Sequence, residues 1–409
     1  MELGPHTARS AVPPRPHGLS RTLTRSAAVL LAGLALAAAA GCGDQTSAQD
    51  ARKADPAVVA KAQAALRQLS GETLSKGPNG ETAAKADSIS LTPQEIQQVK
   101  AKGATAAIAM HTGGDDWSRA QINGLQTEFK RLGIKVIAVT DANFNASRQV
   151  SDIQAILARK PDIIVSLPVD AVATAFVYRE AEKQGVKLVF MDNSPSGMKA
   201  GKDFISTVSA DNYGNGVAAA HLMAEAMGGH GTLGLVWHDA GFFVTMQRYE
   251  GFKKTIQQDY PGIQIVADKG VNANDMASAA QQAAAAILAK NPDIDAIWGV
   301  WDVPAEGILA AARAAGRDDL QIVTEDLGLN VAISMAQRGA IKALGAQRPF
   351  DQGVTEAKLA AYGLLGKQAP PYVALPALPV TQRNYLGAWR QVYHQPPPDI
   401  LRKAAEEGA

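Results

Sequence analysis

The sequence has almost no cysteine and no excess of charge of either sign. One cysteine, Cys42, stands among 409 residues, which excludes intrachain disulfides and multi-cysteine zinc or iron–sulfur sites. Forty Lys and Arg against 39 Asp and Glu give a net charge of +1, without the basic excess typical of nucleic-acid binders. The chain also lacks a G-x-S-x-G nucleophile motif, and nothing in it indicates a cofactor. We therefore expect neither a nucleic-acid-binding protein nor an enzyme.

Long apolar runs are scarce as well. The clearest one, residues 27–40, has 14 residues, fewer than the ~20 that a membrane-spanning helix needs. It follows four arginines and ends at Gly41-Cys42, which predicts a cleaved secretory signal peptide over 1–41. The sequence Ala39-Ala40-Gly41-Cys42 resembles a bacterial lipobox, which implies a lipid anchor on Cys42 in the periplasm or cell envelope. Ordinary cleavage that leaves a free thiol is the alternative.

The next segment, 43–103, is rich in Ala, Lys, Gln, Ser, Thr and Gly and has little apolar periodicity. This composition predicts a tether with short helices. One helix is expected over 56–69. A second opens at Thr92-Pro93-Gln94-Glu95, which has the spacing of a capping box with proline at the first helical position. The folded part is expected to begin at residue 104.

From residue 104 onward, short Val, Ile, Leu and Ala runs alternate with helical stretches. Continuous apolar runs are typical of parallel strands covered by helices on both faces. The pattern therefore predicts a doubly wound α/β fold. The candidate strands are too many for one small sheet and indicate two lobes; they cover 104–110, 136–140, 163–167, 188–191, 205–208, 233–236, 263–267, 296–300, 321–324 and 343–346.

An internal repeat supports two lobes. Residues 160–192 and 291–326 both run Pro-Asp-Ile, strand, Asp, Ala-rich helix, Gly, strand, Asp. The matched aspartates are therefore expected at the carboxyl ends of strands, where open α/β sheets bind ligands. The pairs are Asp170 with Asp302 and Asp192 with Asp326. The alternative is that Pro-Asp-Ile is only a common helix-to-strand turn.

The order of several short segments over about 104–380 resembles one known family. These segments are TGGDDWSRAQINGLQ, VFMDN, VSADNYGNG, RYEGF, WDVPAEG, IVTEDLG and GAQRPFDQG. Together they resemble the type I periplasmic binding proteins, particularly the ribose-binding-like branch that serves ABC sugar importers. The resemblance implies two Rossmann-like lobes joined by a hinge: lobe 1 over 104–210 and 348–372, lobe 2 over 211–347 and 373–390, and a C-terminal tail over 391–409. The chain is expected to cross between the lobes near Ala210, near Gln347 and at 370–376.

In lobe 1 the resemblance implies five ligand-binding residues. Asp115, Asp116 and Trp117 fall where relatives have an asparagine and stacking aromatic residues, and an indole can cover the apolar face of a sugar ring. Trp117 could instead be a core residue at a helix start. Asp192 and Asn193 match a pair that is usually Asp-Arg, so Asn193 departs from the family pattern.

In lobe 2 the resemblance implies Arg248 as a donor to ligand oxygens, since its guanidinium offers several donors in fixed geometry. The alternative for Arg248 is a surface residue paired with Glu250. Trp301 would be a second stacking surface. Asp302 would accept from the ligand or orient Arg248.

Asp326 and Gln347 complete the implied site, as a hydroxyl-binding carboxylate and an amide near the hinge. Phe242 or Phe243 could fill the place of a phenylalanine that relatives have elsewhere. The resemblance implies a monomeric protein that binds a sugar or polyol and passes it to an ABC permease. The extra acidity of Asp115 and Asp116 leaves an amino-sugar or a rhizopine-like amino-polyol open. A sensor that reports to a chemoreceptor or histidine kinase is a third hypothesis.

Two other motifs are set aside. The segment 229–234 fits G-x-G-x-x-G, but it follows a predicted helix and precedes a strand, the reverse of a dinucleotide-binding turn. His111 with Asp115, and His238 with Asp239, have no third ligand at a suitable spacing, so no metal site is expected.

Overall fold

The computed structural model of the protein describes residues 54–240, 242–273 and 275–408. The predicted signal peptide, the predicted lipid anchor at Cys42 and the start of the predicted tether lie outside the described residues. Among the helices of the described part, none combines the length and the apolar character needed to cross a membrane.

The strands and helices alternate through most of the chain. The strands are β1 (Ala84–Lys85), β2 (Thr105–Met110), β3 (Lys135–Asp141), β4 (Ile163–Ser166), β5 (Lys187–Met191), β6 (Ser206–Ala210), β7 (Gly231–His238), β8 (Ile263–Val271), β9 (Ala296–Gly299), β10 (Gln321–Glu325), β11 (Ile341–Ala346), β12 (Tyr372–Leu375) and β13 (Leu378–Thr381). The α-helices are α1 (Pro56–Leu69), α2 (Pro93–Ala101), α3 (Asp116–Arg131), α4 (Ala146–Leu157), α5 (Ala175–Lys183), α6 (Asn212–Met227), α7 (Phe243–Asp259), α8 (Met276–Lys290), α9 (Asp302–Ala314), α10 (Leu329–Ala336), α11 (Pro349–Leu365), α12 (Tyr385–Tyr393) and α13 (Asp399–Glu407).

Two sheets divide these strands. The lobe 1 sheet is parallel throughout, in the order β1-β12-β6-β5-β4-β2-β3. The lobe 2 sheet has the order β13-β11-β10-β9-β7-β8 and is parallel except for the pair of β13 with β11. The predicted architecture of two doubly wound α/β lobes is therefore confirmed.

Both faces of each sheet are covered by helices, as the continuous apolar runs predict. Along β2, Ile108 belongs to the core formed with α3 and α11, and its neighbour Ala107 belongs to the core formed with α4 and α5. Along β9, Ile297 faces α8 and α9, and Trp298 stacks on Phe252 of α7 with ring centroids 4.4 Å apart. The central strands are therefore buried on both sides, and they hold the loops at their carboxyl ends in fixed positions.

In lobe 1, β2 lies between β3 and β4, and in lobe 2, β7 lies between β8 and β9. This places a topological switch point between β2 and its neighbours in lobe 1, and between β7 and its neighbours in lobe 2. Ligands of open α/β sheets bind at the carboxyl side of such points.

The chain passes between the lobes in the loops at 210–212, 346–349 and 375–378. These lie at or near the predicted crossing regions. Asp211, in the first crossing, caps α6 by accepting from the Gly214 N–H at 2.9 Å.

The segment before residue 104 differs from the predicted tether. Helix α1 packs on α6 with Ala62 fully buried, and β1 extends the lobe 1 sheet beside β12. Between them, the backbone N–H groups of Leu74 and Ser75 donate to the Asp211 carboxylate at 2.7 and 2.8 Å. Composition did not predict this packing because the segment is held through its backbone and a few scattered apolar residues, such as Leu69, Ile89 and Val99. From residue 54 onward this segment packs against both lobes.

The C-terminal segment also packs against a lobe. Trp389 of α12 and Leu401 of α13 belong to the lobe 2 core beside α8 and α9. His394, which ends α12, stacks on Phe350 and lies 2.8 Å from Asp351 of α11 in lobe 1. The predicted tail at 391–409 is therefore helical over most of its described length and touches both lobes.

Candidate functional site

A cavity of about 300 Å³ lies between the two lobes. It is lined from lobe 1 by residues that follow β2, β3, β4 and β5, and from lobe 2 by residues of α7 and by those that end or follow β7, β9, β10 and β11. The lining residues are His111, Asp115, Trp117, Phe144, Leu167, Val169, Asp192, His238, Ala240, Phe242, Val244, Thr245, Arg248, Trp301, Asp302, Val303, Asp326 and Gln347. The cavity therefore opens at the carboxyl edges of both sheets.

Asp192 lines the lobe 1 side directly after β5. Its backbone is in the left-handed region, with φ of 52°, and its side chain is almost fully buried. Its carboxylate accepts from the Ser209 hydroxyl at 2.7 Å and from the Gln352 amide at 3.1 Å. Burial raises the pKa of Asp192 to about 6, against the lowering effect of these two donors.

Asp326 has the matching place in lobe 2, directly after β10, with φ of 65°. Its carboxylate accepts from the Arg248 guanidinium at 2.9 Å and from the Gln347 amide at 2.7 Å. The repeat in the sequence therefore does place Asp192 and Asp326 at equivalent strand ends that face one cavity.

Arg248 is only 4% exposed, and it projects from α7 toward this edge. Its Nε lies 3.2 Å from a carboxylate oxygen of Glu325 and donates to the Asn212 amide oxygen at 2.9 Å. Burial alone would lower the pKa of Arg248, but the charges of Asp326 and Glu325 raise it, so the side chain stays charged. The alternative of a surface arginine paired with Glu250 is wrong.

A glycine fixes where Arg248 sits. A Cβ atom on Gly216 of α6 would lie 2.1 Å from the Arg248 carbonyl oxygen, so only glycine lets α7 approach α6 this closely. The site thus depends on a helix contact behind it.

Trp117 joins the lobes through a hydrogen-bond chain. Its indole N–H donates to the Gln347 side-chain oxygen at 3.1 Å, and the Gln347 amide donates to Asp326. Trp117 also packs on the lobe 1 core, so it combines the core role and the cavity-lining role that the sequence left as alternatives.

Two further carboxylates line the cavity. Asp115 caps α3 by accepting from the Ser118 N–H at 2.6 Å, and Asp302 accepts from the Val303 N–H at 2.9 Å at the start of α9. Burial raises the pKa of both side chains, and the nearby charges of Asp326 and Asp115 raise that of Asp302 further. The orienting of Arg248, one option for Asp302, is carried by Glu325 and Asp326.

Asp116 and Asn193 do not line the cavity. The Asp116 carboxylate pairs with Arg119 and accepts from the Leu329 N–H at 2.9 Å, so it caps α10 across the gap between lobes. The Asn193 side chain accepts from the N–H of its neighbour Ser194. Each follows a lining residue by one position; Asp116 is the first residue of α3, and Asn193 lies in the turn after β5.

The sequence analysis missed several ring-bearing side chains that line the cavity. His111 directly follows β2 and His238 ends β7, which are equivalent positions in the two lobes. His111 lies edge-on to Trp117, and His238 lies edge-on to Trp301, with ring centroids 5.9 and 5.5 Å apart. The two strand-end histidines were visible in the sequence but were weighed only as metal ligands. Within 54–240, 242–273 and 275–408, no group of three or more His, Cys, Asp or Glu side chains is arranged to hold a metal ion.

Residues 106–368, more than half of the chain, match the family model described as a periplasmic binding protein domain. The chain belongs to this family. The ribose import binding protein of Bacillus subtilis (strain 168) is 26% identical over 260 residues, which cover 64% of this chain and 81% of that protein. The D-allose-binding periplasmic protein of Escherichia coli (strain K12) is 28% identical over 251 residues, or 58% of this chain and 76% of that protein. A solved ABC transporter solute-binding protein from Agrobacterium vitis with bound allitol is 26% identical and has a TM-score of 0.61, covering 70% of this chain and 98% of that one.

Proposed function

We propose that this protein is an extracytoplasmic solute-binding protein that captures a sugar or polyol between its lobes and delivers it to an ABC importer permease. The observation that carries the proposal is the cavity at the facing carboxyl edges of both sheets, lined by carboxylates, one arginine and two tryptophans. The names of the ribose and D-allose relatives, and the allitol in the related structure, support a polyhydroxylated ligand.

The lining groups suit such a ligand chemically. Carboxylates such as Asp192 and Asp326 accept hydrogen bonds from hydroxyl groups, and the Arg248 guanidinium donates to ligand oxygens. Trp117 and Trp301 offer flat apolar faces for the C–H side of a sugar ring. The ligand-binding residues in this proposal are Asp115, Trp117, Asp192, Arg248, Trp301, Asp302, Asp326 and Gln347.

Hinge closure follows from where these residues lie. A ligand that contacts Asp192 in lobe 1 and Asp326 in lobe 2 binds the closed form more tightly than the open form, and so shifts the population toward closure. The permease would recognise the closed form. The protein works as a monomer in the periplasm, held at the membrane by a lipid on Cys42.

One observation favours an amino-sugar or amino-polyol as a second candidate ligand. Arg248 is already paired with Glu325 and Asp326, and it is the one Lys or Arg among the described lining residues. Asp302 and Asp115 therefore face the cavity without a cation from the lining, and a ligand ammonium group would supply one.

A thermal-shift screen of the full chain tests the proposal, with D-ribose, D-allose, allitol and D-glucosamine as probes. A ligand at 100 times its Kd adds about 2.7 kcal/mol to the free energy of unfolding and raises Tm by a few degrees. The shift should disappear in Asp326→Asn. It should persist in Asp170→Asn, since Asp170 is exposed and outside the cavity although it also follows a strand in the repeat.

The pattern of shifts separates the candidates. Shifts with the neutral probes support the sugar or polyol ligand, and a shift with D-glucosamine alone supports the amino-sugar. A shift that survives Asp326→Asn unchanged would show that the probe binds outside this cavity. No shift with any probe would count against both ligand classes.

A further inference from the structure

Three rings form a continuous wall on the lobe 1 side of the cavity. His111 lies between the other two, 5.9 Å from the Trp117 ring centroid and 5.0 Å from that of Phe144, and it is edge-on to both. We call His111, Trp117 and Phe144 the ring wall. Of these three rings, the resemblance to sugar-binding relatives implied only Trp117. His111 and Phe144 are identified from the structure of this chain.

Phe144 is an unusual member of the ring wall. It is 64% exposed although it is a large apolar side chain that lines the cavity. It also has a φ of 55°, in the left-handed region that bulky residues rarely adopt, and follows Asn143 with φ of 48°. A hydrogen bond from the Phe144 N–H to the His111 carbonyl oxygen, 2.8 Å long, holds this turn. Strained backbone of this kind is concentrated at functional sites.

The ring wall is uncharged at neutral pH. Burial lowers the pKa of His111 to about 4, and the nearby Asp141 only partly opposes this effect. The His111 Nδ1 is buried without a hydrogen-bond partner. An uncharged row of rings favours contact with an apolar part of a ligand over contact with an ion.

Polar side chains are among the most buried of the cavity lining, and an apolar ring is among its most exposed. Asp192, Arg248 and Gln347 are each no more than 5% exposed, whereas Phe144 stands in the open part of the lining. A bound polyol would direct its hydroxyl groups to the buried carboxylates and arginine. Its outer end would then lie against the ring wall at Phe144.

We propose that Phe144 is a specificity-determining residue that contacts the ligand and selects those with an apolar substituent, such as a methyl or methylene group, at their outer end. The inference rests on the proposed function, because it assigns the orientation of a ligand in the same cavity. Ligand contact would also bury the exposed ring, which offsets the unfavourable hydration of the free form.

The experiment compares free sugars with their methyl glycosides. The full chain is titrated by calorimetry with D-ribose, D-allose and D-arabinose and with the methyl α- and β-glycosides of each. Burying one additional methyl group corresponds to a preference of about fourfold in Kd. We expect the wild type to bind one glycoside at least that much more tightly than the free sugar, and Phe144→Ala to lose the preference.

Two further variants sharpen the test. Phe176→Ala removes another exposed phenylalanine, 53% exposed on α5 and outside the cavity, and should keep the wild-type preference. Phe144→Leu keeps an apolar side chain without the ring and should show an intermediate preference, and it replaces Phe144→Ala if that variant fails to fold.

The outcomes test the role of Phe144 and the proposed function separately. A preference that Phe144→Ala and Phe144→Leu both retain overturns the role of Phe144 and leaves the proposed function intact. If the wild type binds the free sugars without a preference for any glycoside, the role of Phe144 is also overturned and the proposed function is left intact. No binding of any probe overturns the proposed function, and the role of Phe144 with it.

Discussion

Asp192 and Asp326 occupy equivalent places in two lobes and have different surroundings. Both directly follow a buried parallel strand, both have a left-handed backbone, and both face the same cavity. Asp192 is held by the uncharged donors Ser209 and Gln352, whereas Asp326 is held by the charged Arg248 and by Gln347. The backbone position is therefore a property of the fold, and the charge at that position is decided by the neighbours.

Because of this difference, the two lobes present different charges to the cavity. Lobe 2 presents a fixed ion pair, because Arg248 stays charged between Glu325 and Asp326. Lobe 1 presents a carboxyl group that changes its protonation near pH 6, because burial is only partly offset by its two donors. Removing Arg248 should therefore lower stability through the loss of a buried ion pair, and changing Asp192 should alter the pH dependence of stability.

The largest effect is expected from Arg248→Met. This variant leaves the buried Glu325 and the half-buried Asp326 without their cation, and breaking a buried ion pair typically costs about 3–5 kcal/mol of folding free energy. Urea unfolding followed by circular dichroism would measure it. Lys61→Met, which removes the exposed pair with Asp259, is the control and should cost about 0–1 kcal/mol. Equal losses in the two variants would contradict the view that lobe 2 is built around a buried ion pair.

A second prediction concerns pH and Asp192. The native pKa is about 6 against an ordinary value near 3.8, so between about pH 4 and 6 the folded state binds more protons than the unfolded state. The stability contributed by Asp192 is therefore present at low pH and is lost as the pH rises through this window, by up to about 3 kcal/mol. Asp192→Asn cannot titrate, and its unfolding free energy should fall less over the same window.

The measurement is the difference between the wild-type and Asp192→Asn stability profiles at pH 4 to 7.5. Burial also raises the pKa of Glu325 and Glu356, and both groups give the same sign of pH dependence. Because the charge of Asp192 adds to the raised pKa of Glu356, the difference reports the ionisation of Asp192 together with its effect on Glu356. Ser209→Ala keeps the carboxyl group and should show a fall at least as large as that of the wild type. Parallel profiles for the wild type and Asp192→Asn would mean that Asp192 ionises normally in the folded protein.

Most of the fold could be predicted from the sequence because its central strands are continuous apolar runs with distinct bounds. The strands missed were β1, β12 and β13, which are two to four residues long and lie near prolines or in a polar segment. Such short strands, two of which lie at sheet edges, are stabilised by backbone pairing with a neighbour, which local composition does not reveal. For the same reason residues 54–103 were taken for a tether.

The site was predicted less completely than the fold. Positions directly after a strand, such as Asp192 and Asp326, could be placed because strand ends share one edge of a sheet. Asn193 lies one position further, where the turn geometry decides the direction of the side chain, and Asp116 opens α3, where its direction depends on how the helix begins. Glu325 was missed because a charged side chain at the end of a buried run gives no sequence signal that it pairs with Arg248, 77 positions away.

The smallest expected effect distinguishes the two protonation states of Asp192. Ser209 donates to its carboxylate, and a hydrogen bond to a charged acceptor contributes about 1.5–3 kcal/mol, against about 1 kcal/mol for a neutral one. Ser209→Ala should therefore lower the unfolding free energy by about 2 kcal/mol at pH 7.5, where Asp192 is ionised, and by about 1 kcal/mol at pH 4. Urea titrations at the two pH values measure the losses. A loss of the same size at both values would show that the Ser209 hydroxyl supports packing or Asn212, to which it is also bonded at 3.0 Å, more than the charge of Asp192.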